Sequence, residues 1–232
     1  MFLWDPMYLL FALPAMLLAM WAQMRVRGAY NRYLRVGNRR GVTGLQAAQH
    51  LIRAQGLADV KVEGARGQLT DHYDPRSKTL HLSQSVANSS SVAALGIVAH
   101  EVGHAVQDKT NYGPLRLRSG IVPMVQVSAF LGPLVFFGGL LFQSTGLAWL
   151  GLLLFSASAV FALLTLPVER NASQRALQML RTNGLIVQGQ EETGARKVLD
   201  AASWTYVAAL VQVLSTLLYY VFLLSGFSRR RD

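Results

Sequence analysis

Three long stretches of the chain contain no charged residue. They are Pro6–Met24, Ser119–Val168 and Ala201–Ser228, of 19, 50 and 28 residues. A helix needs about 20 apolar residues to cross the hydrocarbon core of a bilayer. The first and third stretches therefore each predict one spanning helix, and the second, broken by polar and glycine residues at 143–146, predicts two. The four predicted spans are 6–24, 121–142, 147–167 and 204–226.

The polar segment 25–118 carries mixed helical and strand patterns. Thr43 suits the N-cap of a helix in which Leu45, Ala48 and Ile52 recur at helical spacing and share one face. A glycine at position 56 is suited to end this helix. The segment is therefore predicted to begin its folded part with one amphipathic helix.

Short strands and a second helix follow in the same segment. The pattern predicts strands at 60–63, 68–70 and 79–82, with the last two paired around a turn at 73–76. A serine run then offers an N-cap for a helix at about 91–108. Together these elements predict a small α+β unit.

The remaining polar segment continues the neighbouring helices. Residues 169–182 extend the third span as a helix that Gly184 ends, and 191–203 form a helix that leads into the fourth span. The fold class is a mostly α membrane protein with four transmembrane helices and a small α+β juxtamembrane unit. We predict five segments: an N-terminal anchor 1–24, the α+β unit 25–118, a helical hairpin 119–168, a helical segment 169–203 and a C-terminal span with a basic tail 204–232.

The composition agrees with a membrane protein. The residues are 52% hydrophobic and only 15% charged, whereas an ordinary soluble domain is about 25% charged. The chain has no cysteine, which excludes disulfides, thiolate zinc sites and cysteine nucleophiles. The N-terminus carries Asp5 in place of a basic leader, so we expect the first helix to stay as an anchor.

The formal net charge of +10 fits either a nucleic-acid-binding surface or one that faces anionic lipid head groups. Segment 25–118 holds 14 Lys and Arg residues, beginning directly after the first span with Arg25, Arg27, Arg32, Arg35, Arg39 and Arg40. The positive-inside rule then places this segment in the cytoplasm, although four crossings put the tail Arg229–Arg231 outside. Apart from Tyr30 and Tyr33, no aromatic residues interleave with the cluster, so membrane lipid is the favoured partner and nucleic acid is not expected.

An HExxH sequence, His100-Glu101-Val102-Gly103-His104, lies within the second predicted helix. On a helix, the residues at i and i+4 share one face, so both imidazoles can reach one zinc ion at about 2.0–2.1 Å. Glu101 lies on the adjacent flank, where it can take a proton from the attacking water. The alternative is a buried helix with two hydrogen-bonded histidines, which is costly without a shared partner.

A catalytic zinc usually has three protein ligands and one open position. Glu169 is the best candidate for the third ligand, because it is the first charged residue after the 50-residue uncharged stretch. A helical hairpin of equal arms returns the chain to the membrane face from which it started, so Glu169 and His104 emerge near the same surface. The alternative is that Glu169 only marks the membrane boundary, paired with Arg170 or Arg175.

Other polar residues are weaker candidates. Asp108 follows His104 by one helical turn and is expected to be solvated. Surface positions are expected for His72 and His81 near the strands and for His50 on the first helix. An ordinary charged helix start is expected at Glu191 and Glu192.

Three passages around these residues resemble the YugP-like family of bacterial membrane zinc metallopeptidases and, more distantly, the HtpX-type membrane proteases. They read LTDHYDPRSKTLHLS at 69–83, ALGIVAHEVGHAVQD at 94–108 and TLPVERNASQRAL at 165–177. Two further passages that fit are YGPLRLRSGIVP at 112–123 and ARKVLDAASWTYVAA at 195–209. The resemblance covers nearly the whole chain, and its motifs are more specific than HExxH alone.

The resemblance implies a zincin-like unit in a bacterial inner membrane protein that hydrolyses peptide bonds with Zn²⁺. It also implies a carboxylate ligand after the third membrane helix, which maps onto Glu169. HtpX-type proteases place an aspartate four residues later, where this chain has Ser173. Asn171, Ser173 or Asp108 is therefore left to orient a ligating histidine.

The sequence thus predicts a zinc-dependent membrane metalloendopeptidase. Its metal ligands are His100, His104 and Glu169, and Glu101 is its catalytic base. Its substrates are membrane-associated proteins or peptides, which pair along the edge of strand 79–82.

Two alternatives stay open. A non-catalytic zinc-binding membrane scaffold or assembly factor would keep the same fold, although such a protein is free to lose Glu101. A site-2-type intramembrane protease carries HExxH within a spanning helix and an LDG motif, whereas here Leu199-Asp200 is followed by Ala201.

Overall fold

The computed structural model describes residues 6–228, so Asp5 and the basic tail Arg229–Arg231 lie outside the described residues. The helices are α1 Pro6–Leu34, α2 Gly44–Ala54, α3 Gln84–Ala87, α4 Val92–Lys109, α5 Gly113–Leu141, α6 Thr145–Thr182 and α7 Gln190–Ser228. The strands are β1 Lys61–Ala65, β2 His72–Asp74 and β3 Thr79–Ser83. The predicted mostly α fold with a small sheet is confirmed.

Four helices within the described residues are long and apolar enough to cross a membrane: α1, α5, α6 and α7. Their most apolar windows have mean hydropathies of 1.6, 1.8, 2.3 and 2.1. Large apolar side chains stay exposed along them, for example Phe130 and Leu153, as a lipid-facing surface requires. The four predicted spans are confirmed, and each helix extends beyond its predicted span at one end or both.

The chain divides into two compact units, and the first consists mainly of the apolar helical segments. It contains the chain up to Ala22, Leu117–Leu166 and the part from Thr205 onward. Phe136, Tyr219 and Tyr220 form part of its buried core. Between α5 and α6 the chain turns at 142–144, so the hairpin predicted at 143–146 is confirmed.

The second unit contains Gln23–Arg116 and Pro167–Trp204. Its core packs the amphipathic face of α2 and one side of the sheet against α4 and the C-terminal part of α6. Fully buried members include Leu51, Leu82 and Leu180. The division of the chain into five segments remains a prediction, because the two compact units divide the chain in a different way.

The three-stranded sheet has the order β1-β3-β2. Strand β3 pairs in parallel with β1 and antiparallel with β2, with Tyr73 opposite Leu80. Because β3 is central, both of its edges are already hydrogen-bonded. The predicted pairing of a substrate along the edge of strand 79–82 is therefore wrong.

Strand β2 begins later than predicted, at His72 and not at position 68. Asp74 accepts hydrogen bonds from the Arg76 main-chain amide and the Ser77 hydroxyl, at 2.9 and 2.8 Å. These bonds form the turn after Asp74, so the turn predicted at 73–76 starts two residues too early.

Both predicted helix N-caps are confirmed, whereas the predicted apolar face of α2 is only partly correct. Thr43 and Gln46 form a reciprocal capping box at the start of α2, and Ser91 accepts from the Ala94 amide at the start of α4, so both predicted caps are confirmed. Leu45, predicted to share a face with Ala48 and Ile52, is instead 37% exposed, whereas Ala48 and Ile52 are buried. Leu45 follows the buried Gly44 by about 100° around the helix and therefore lies beside the buried face, which comprises Gly44, Ala47, Ala48, Leu51 and Ile52.

Candidate metal centre

Helix α4 brings the two histidines of the HExxH sequence onto one face. His100 and His104 are one turn apart, and their rings lie edge to face with centroids 4.8 Å apart. Ser91 caps the helix N-terminus, and a buried apolar run from Val92 to Ala99 fixes the helix in the core of the second unit. The apolar side of α4 is thus packed in the core, and the side that carries the histidines is left for polar contacts.

Glu169 on α6 meets both histidines. One carboxylate oxygen, Oε2, lies 3.1 Å from His100 Nε2 and 3.4 Å from His104 Nε2. The side chains are mostly enclosed, with 12% exposure for each histidine and 5% for Glu169. Within residues 6–228, these three residues form a potential metal-binding group whose ligand atoms all lie within 4.8 Å of one another.

The donor set fits zinc. Zinc is bound by imidazole nitrogen and carboxylate oxygen at about 2.0–2.2 Å, in tetrahedral geometry. Ligand atoms at those distances on a tetrahedron lie about 3.3–3.6 Å apart. The two distances from Glu169 to the histidines are close to this spacing, as shared coordination of one ion requires.

Glu101 lies beside the metal-binding group, held by the sheet. Its Oε2 accepts a hydrogen bond from the main-chain amide of Tyr73 on β2 at 3.0 Å. Burial raises the pKa of the Glu101 carboxyl, and the neighbouring His100 and His104 lower it only in part. The edge strand thus orients the Glu101 carboxylate beside the two histidines.

Gly103, in the middle of HExxH, allows close approach of α4 and α6. A Cβ at this position would lie 2.8 Å from the carbonyl oxygen of Ala172 and 3.3 Å from its Cα. Only a glycine lets the two backbones come so near. This approach places the histidine face of α4 beside the turn of α6 that carries Glu169.

Two uncharged side chains contact the outer nitrogens of the histidines. Ser173 Oγ lies 3.1 Å from His100 Nδ1, and Gln107 Oε1 lies 3.0 Å from His104 Nδ1. Ser173 was among the residues considered from the sequence, but Gln107 was missed. The sequence feature that could have identified Gln107 is its position. It is an uncharged polar residue three positions after His104, on the same face of an otherwise apolar helix turn.

Asp108 is not solvated as expected, since it accepts a hydrogen bond from the Tyr73 hydroxyl at 2.9 Å. Burial and the Asp108 carboxylate raise the pKa of Tyr73, which keeps its phenol protonated. His72 and His81 stack on each other across β2 and β3, with ring centroids 4.6 Å apart. Neither belongs to the metal-binding group.

The remaining weaker candidates lie on helices α2 and α7. His50 is an exposed residue of α2. Glu191, in the first turn of α7, accepts main-chain hydrogen bonds from Arg39 and Val187, both at 2.9 Å. Glu192 pairs with Arg181. Both glutamates lie in the first turn of α7, as expected, but Glu191 is buried and binds amides outside this helix, so it is not an ordinary surface residue.

Comparison with known proteins gives one family match and one curated relative. A family model described as "putative neutral zinc metallopeptidase" matches residues 8–225. The chain is 43% identical over 215 residues to a protein of Bacillus subtilis (strain 168) named "Putative membrane protease YugP", covering 93% of this chain and 95% of the relative. No solved structure matches. The family match spans both the HExxH sequence and Glu169.

Proposed function

Because the chain belongs to the family of putative neutral zinc metallopeptidases, we propose that it is a zinc-dependent endopeptidase that hydrolyses peptide bonds at a membrane surface. The observation that carries the proposal is the convergence of His100, His104 and Glu169 beside Glu101. Zinc is the metal of this family, and this donor set fits it.

The proposed metal ligands are His100 Nε2, His104 Nε2 and the Glu169 carboxylate. When bound, zinc supplies a Lewis acid that polarises the scissile carbonyl and lowers the pKa of a coordinated water to about 7. Glu101 takes a proton from the attacking water and later delivers it to the leaving amine. The Tyr73 amide holds the Glu101 carboxylate in the orientation that this transfer needs.

The proposed substrates are membrane proteins or segments tethered to the membrane. A peptidase family implies peptide or protein substrates, and the relative of B. subtilis is named as a membrane protease. Glu169 follows directly on a long uncharged stretch of α6, which supports a site near the bilayer surface. The basic segment after the first span supports an active site that faces the cytoplasm, in the inner membrane of a bacterium.

The site-2-type alternative is less well supported. That mechanism needs HExxH within a spanning helix, and α4, which carries it here, is not among the helices of residues 6–228 that are long and apolar enough to span. An aspartate ligand from Leu199-Asp200 is not needed either, because Glu169 already completes a three-residue group.

Cleavage by purified protein in detergent tests the function. We expect zinc-dependent cleavage of fluorescein-labelled casein, faster when the casein is lipid-anchored in the same micelles, and self-cleavage at high protein concentration. Glu101→Gln should lower the rate by about 10²–10⁴-fold, because general-base catalysis is lost. Its zinc content should stay unchanged, since Glu101 is not a proposed ligand.

Three results would contradict the proposal. Cleavage by Glu101→Gln at the wild-type rate would show that Glu101 is not the general base. Equal rates on free and anchored casein would argue against membrane-tethered substrates. A wild-type protein that binds zinc but cleaves neither form, nor itself, would support the scaffold alternative.

A further inference from the structure

Gln107 is a fully buried polar side chain next to the metal-binding group. Its amide nitrogen Nε2 donates to the Val168 carbonyl at 2.8 Å and to Asn171 Oδ1 at 3.0 Å. Its amide oxygen Oε1 lies 3.0 Å from His104 Nδ1. Both ends of the amide are thus engaged, as burial of such a group requires.

The chemistry of the partners fixes which end of the Gln107 amide faces His104. Arg175 Nε, which can only donate, lies 2.7 Å from Asn171 Oδ1, so the Asn171 atom at this point must be an acceptor. The Val168 carbonyl is also an acceptor only. The Gln107 atom that meets these two acceptors is therefore its NH₂ group, and the atom that faces His104 is its oxygen.

An amide oxygen can only accept a hydrogen bond, so His104 must carry a proton on Nδ1. In a neutral imidazole, the other nitrogen then carries the lone pair. That nitrogen, Nε2, is the one 3.4 Å from Glu169. Gln107 thus selects the tautomer of His104 whose free lone pair is on the side of the metal-binding group.

The contact at Nδ1 of His100, in contrast, does not by itself select a tautomer. Its Nδ1 meets the Ser173 hydroxyl at 3.1 Å, and a hydroxyl can either donate or accept. Of the two Nδ1 contacts, only the one at His104 therefore fixes which ring nitrogen carries the proton.

Gln107 also connects α4 to the turn of α6 that carries Glu169. Its two acceptors, Val168 and Asn171, lie one residue before and two residues after Glu169. The buried side chain of Gln107 thus contacts one proposed ligand, His104, and residues on either side of the other, Glu169, in the sequence.

We propose that Gln107 is a positioning residue for the metal, which orients His104 with Nε2 toward the ion and fixes the α6 turn that presents Glu169. This inference rests on the proposed zinc site. Metal-bound histidines commonly donate their second N–H to a carboxylate, carbonyl or water, and loss of such a partner typically weakens metal affinity by about 10–100-fold.

Two measurements on the full chain in detergent test the inference. In zinc-loaded wild type labelled with ¹⁵N-histidine, His104, assigned with a His104→Asn variant, should show a protonated Nδ1 and a metal-bound Nε2. In Gln107→Met, which keeps the side-chain length and removes the hydrogen bonds, zinc affinity from chelator competition should fall by about 10–100-fold. The matched control Gln178→Met, at an exposed position of α6, should bind zinc as the wild type does.

The outcomes separate this inference from the proposed function. A zinc-loaded wild type in which His104 is protonated on Nε2 would overturn the inference about Gln107. This result does not depend on whether Gln107→Met folds. A folded Gln107→Met protein whose zinc affinity lies within about twofold of the wild type would also overturn the inference. Loss of a hydrogen-bonding partner of a metal-bound histidine should weaken zinc binding about tenfold or more. A wild type that binds no zinc would overturn the proposed function itself.

Discussion

The main-chain amide of Tyr73 donates to Glu101, so the orientation of the proposed general base depends on a backbone group. In the antiparallel pairing of β2 with β3, an amide that points to Glu101 points away from β3, toward the free edge. The amide can therefore be removed without breaking the ladder.

A proline at position 73 tests this contact. Proline removes an N–H and is tolerated at sheet edges where the N–H faces outward. Tyr73→Pro should therefore cleave substrate about tenfold or more slowly than Tyr73→Ala, because a hydrogen bond to a charged group is worth about 1.5–3 kcal/mol. The alanine variant controls for loss of the ring and its bond to Asp108, and cleavage rates give the comparison. Equal rates would mean that the amide does not orient Glu101.

At the scale of elements, the site depends on how closely α4 and α6 approach. Helix α4 supplies the histidines and Glu101, and α6 supplies Glu169, so the distance between the two backbones sets the distance between ligands. Gly103 lies where they are nearest, against Ala172.

A methyl group at Gly103 should separate the helices. Its Cβ would meet backbone atoms of Ala172 at 2.8–3.4 Å, and backbone cannot move aside as a flexible side chain can. Gly103→Ala should lose about 1–3 kcal/mol of stability, as overpacked cores do, and should bind zinc more weakly. Gly96→Ala is the matched control on the same helix, because its Cβ meets Ala195 at an ordinary 3.6 Å. Similar thermal midpoints for the two variants would contradict the close-approach argument.

The sequence predicted the elements whose signals are local. Uncharged stretches predicted the four apolar helices, and the caps at Thr43 and Ser91 depend on neighbouring residues only. The HExxH spacing alone brought His100 and His104 together, because helical geometry dictates it. Glu169 was harder, since its approach to His100 spans 69 residues, and the motif resemblance strengthened that prediction.

The features that sequence reasoning missed depend on tertiary contacts. The start of β2 depends on Tyr73 meeting Asp108 and Glu101, which lie on another element. The exposed position of Leu45 depends on which face of α2 the core selects. Gln107 resembles any polar helix residue until Val168 and Asn171 surround it.

At the scale of the whole molecule, a prediction concerns which way the chain faces in the membrane. Under the positive-inside rule, the basic segment after the first span predicts that the second unit faces the cytoplasm. The chain has no cysteine, so a single introduced thiol reports its own side of the membrane without interference.

Cysteine labelling in intact cells tests the orientation. Gln49→Cys lies at an exposed position of α2 in the second unit, and Gly146→Cys lies at the start of α6, where a side chain meets open space. A membrane-impermeant maleimide should label Gly146→Cys in intact cells and Gln49→Cys only after the membrane is opened. The reverse pattern would place the second unit outside the cytoplasm.

The most direct test of the central claim is the zinc content of the purified protein beside two variants, Glu169→Ala and Glu101→Gln. We expect about one zinc per chain in the wild type and in Glu101→Gln, and a large loss in Glu169→Ala, because a catalytic site normally has three protein ligands. Full zinc retention in Glu169→Ala would contradict the proposed ligand set. Loss of zinc in Glu101→Gln would contradict the assignment of Glu101 as a base that does not bind the metal.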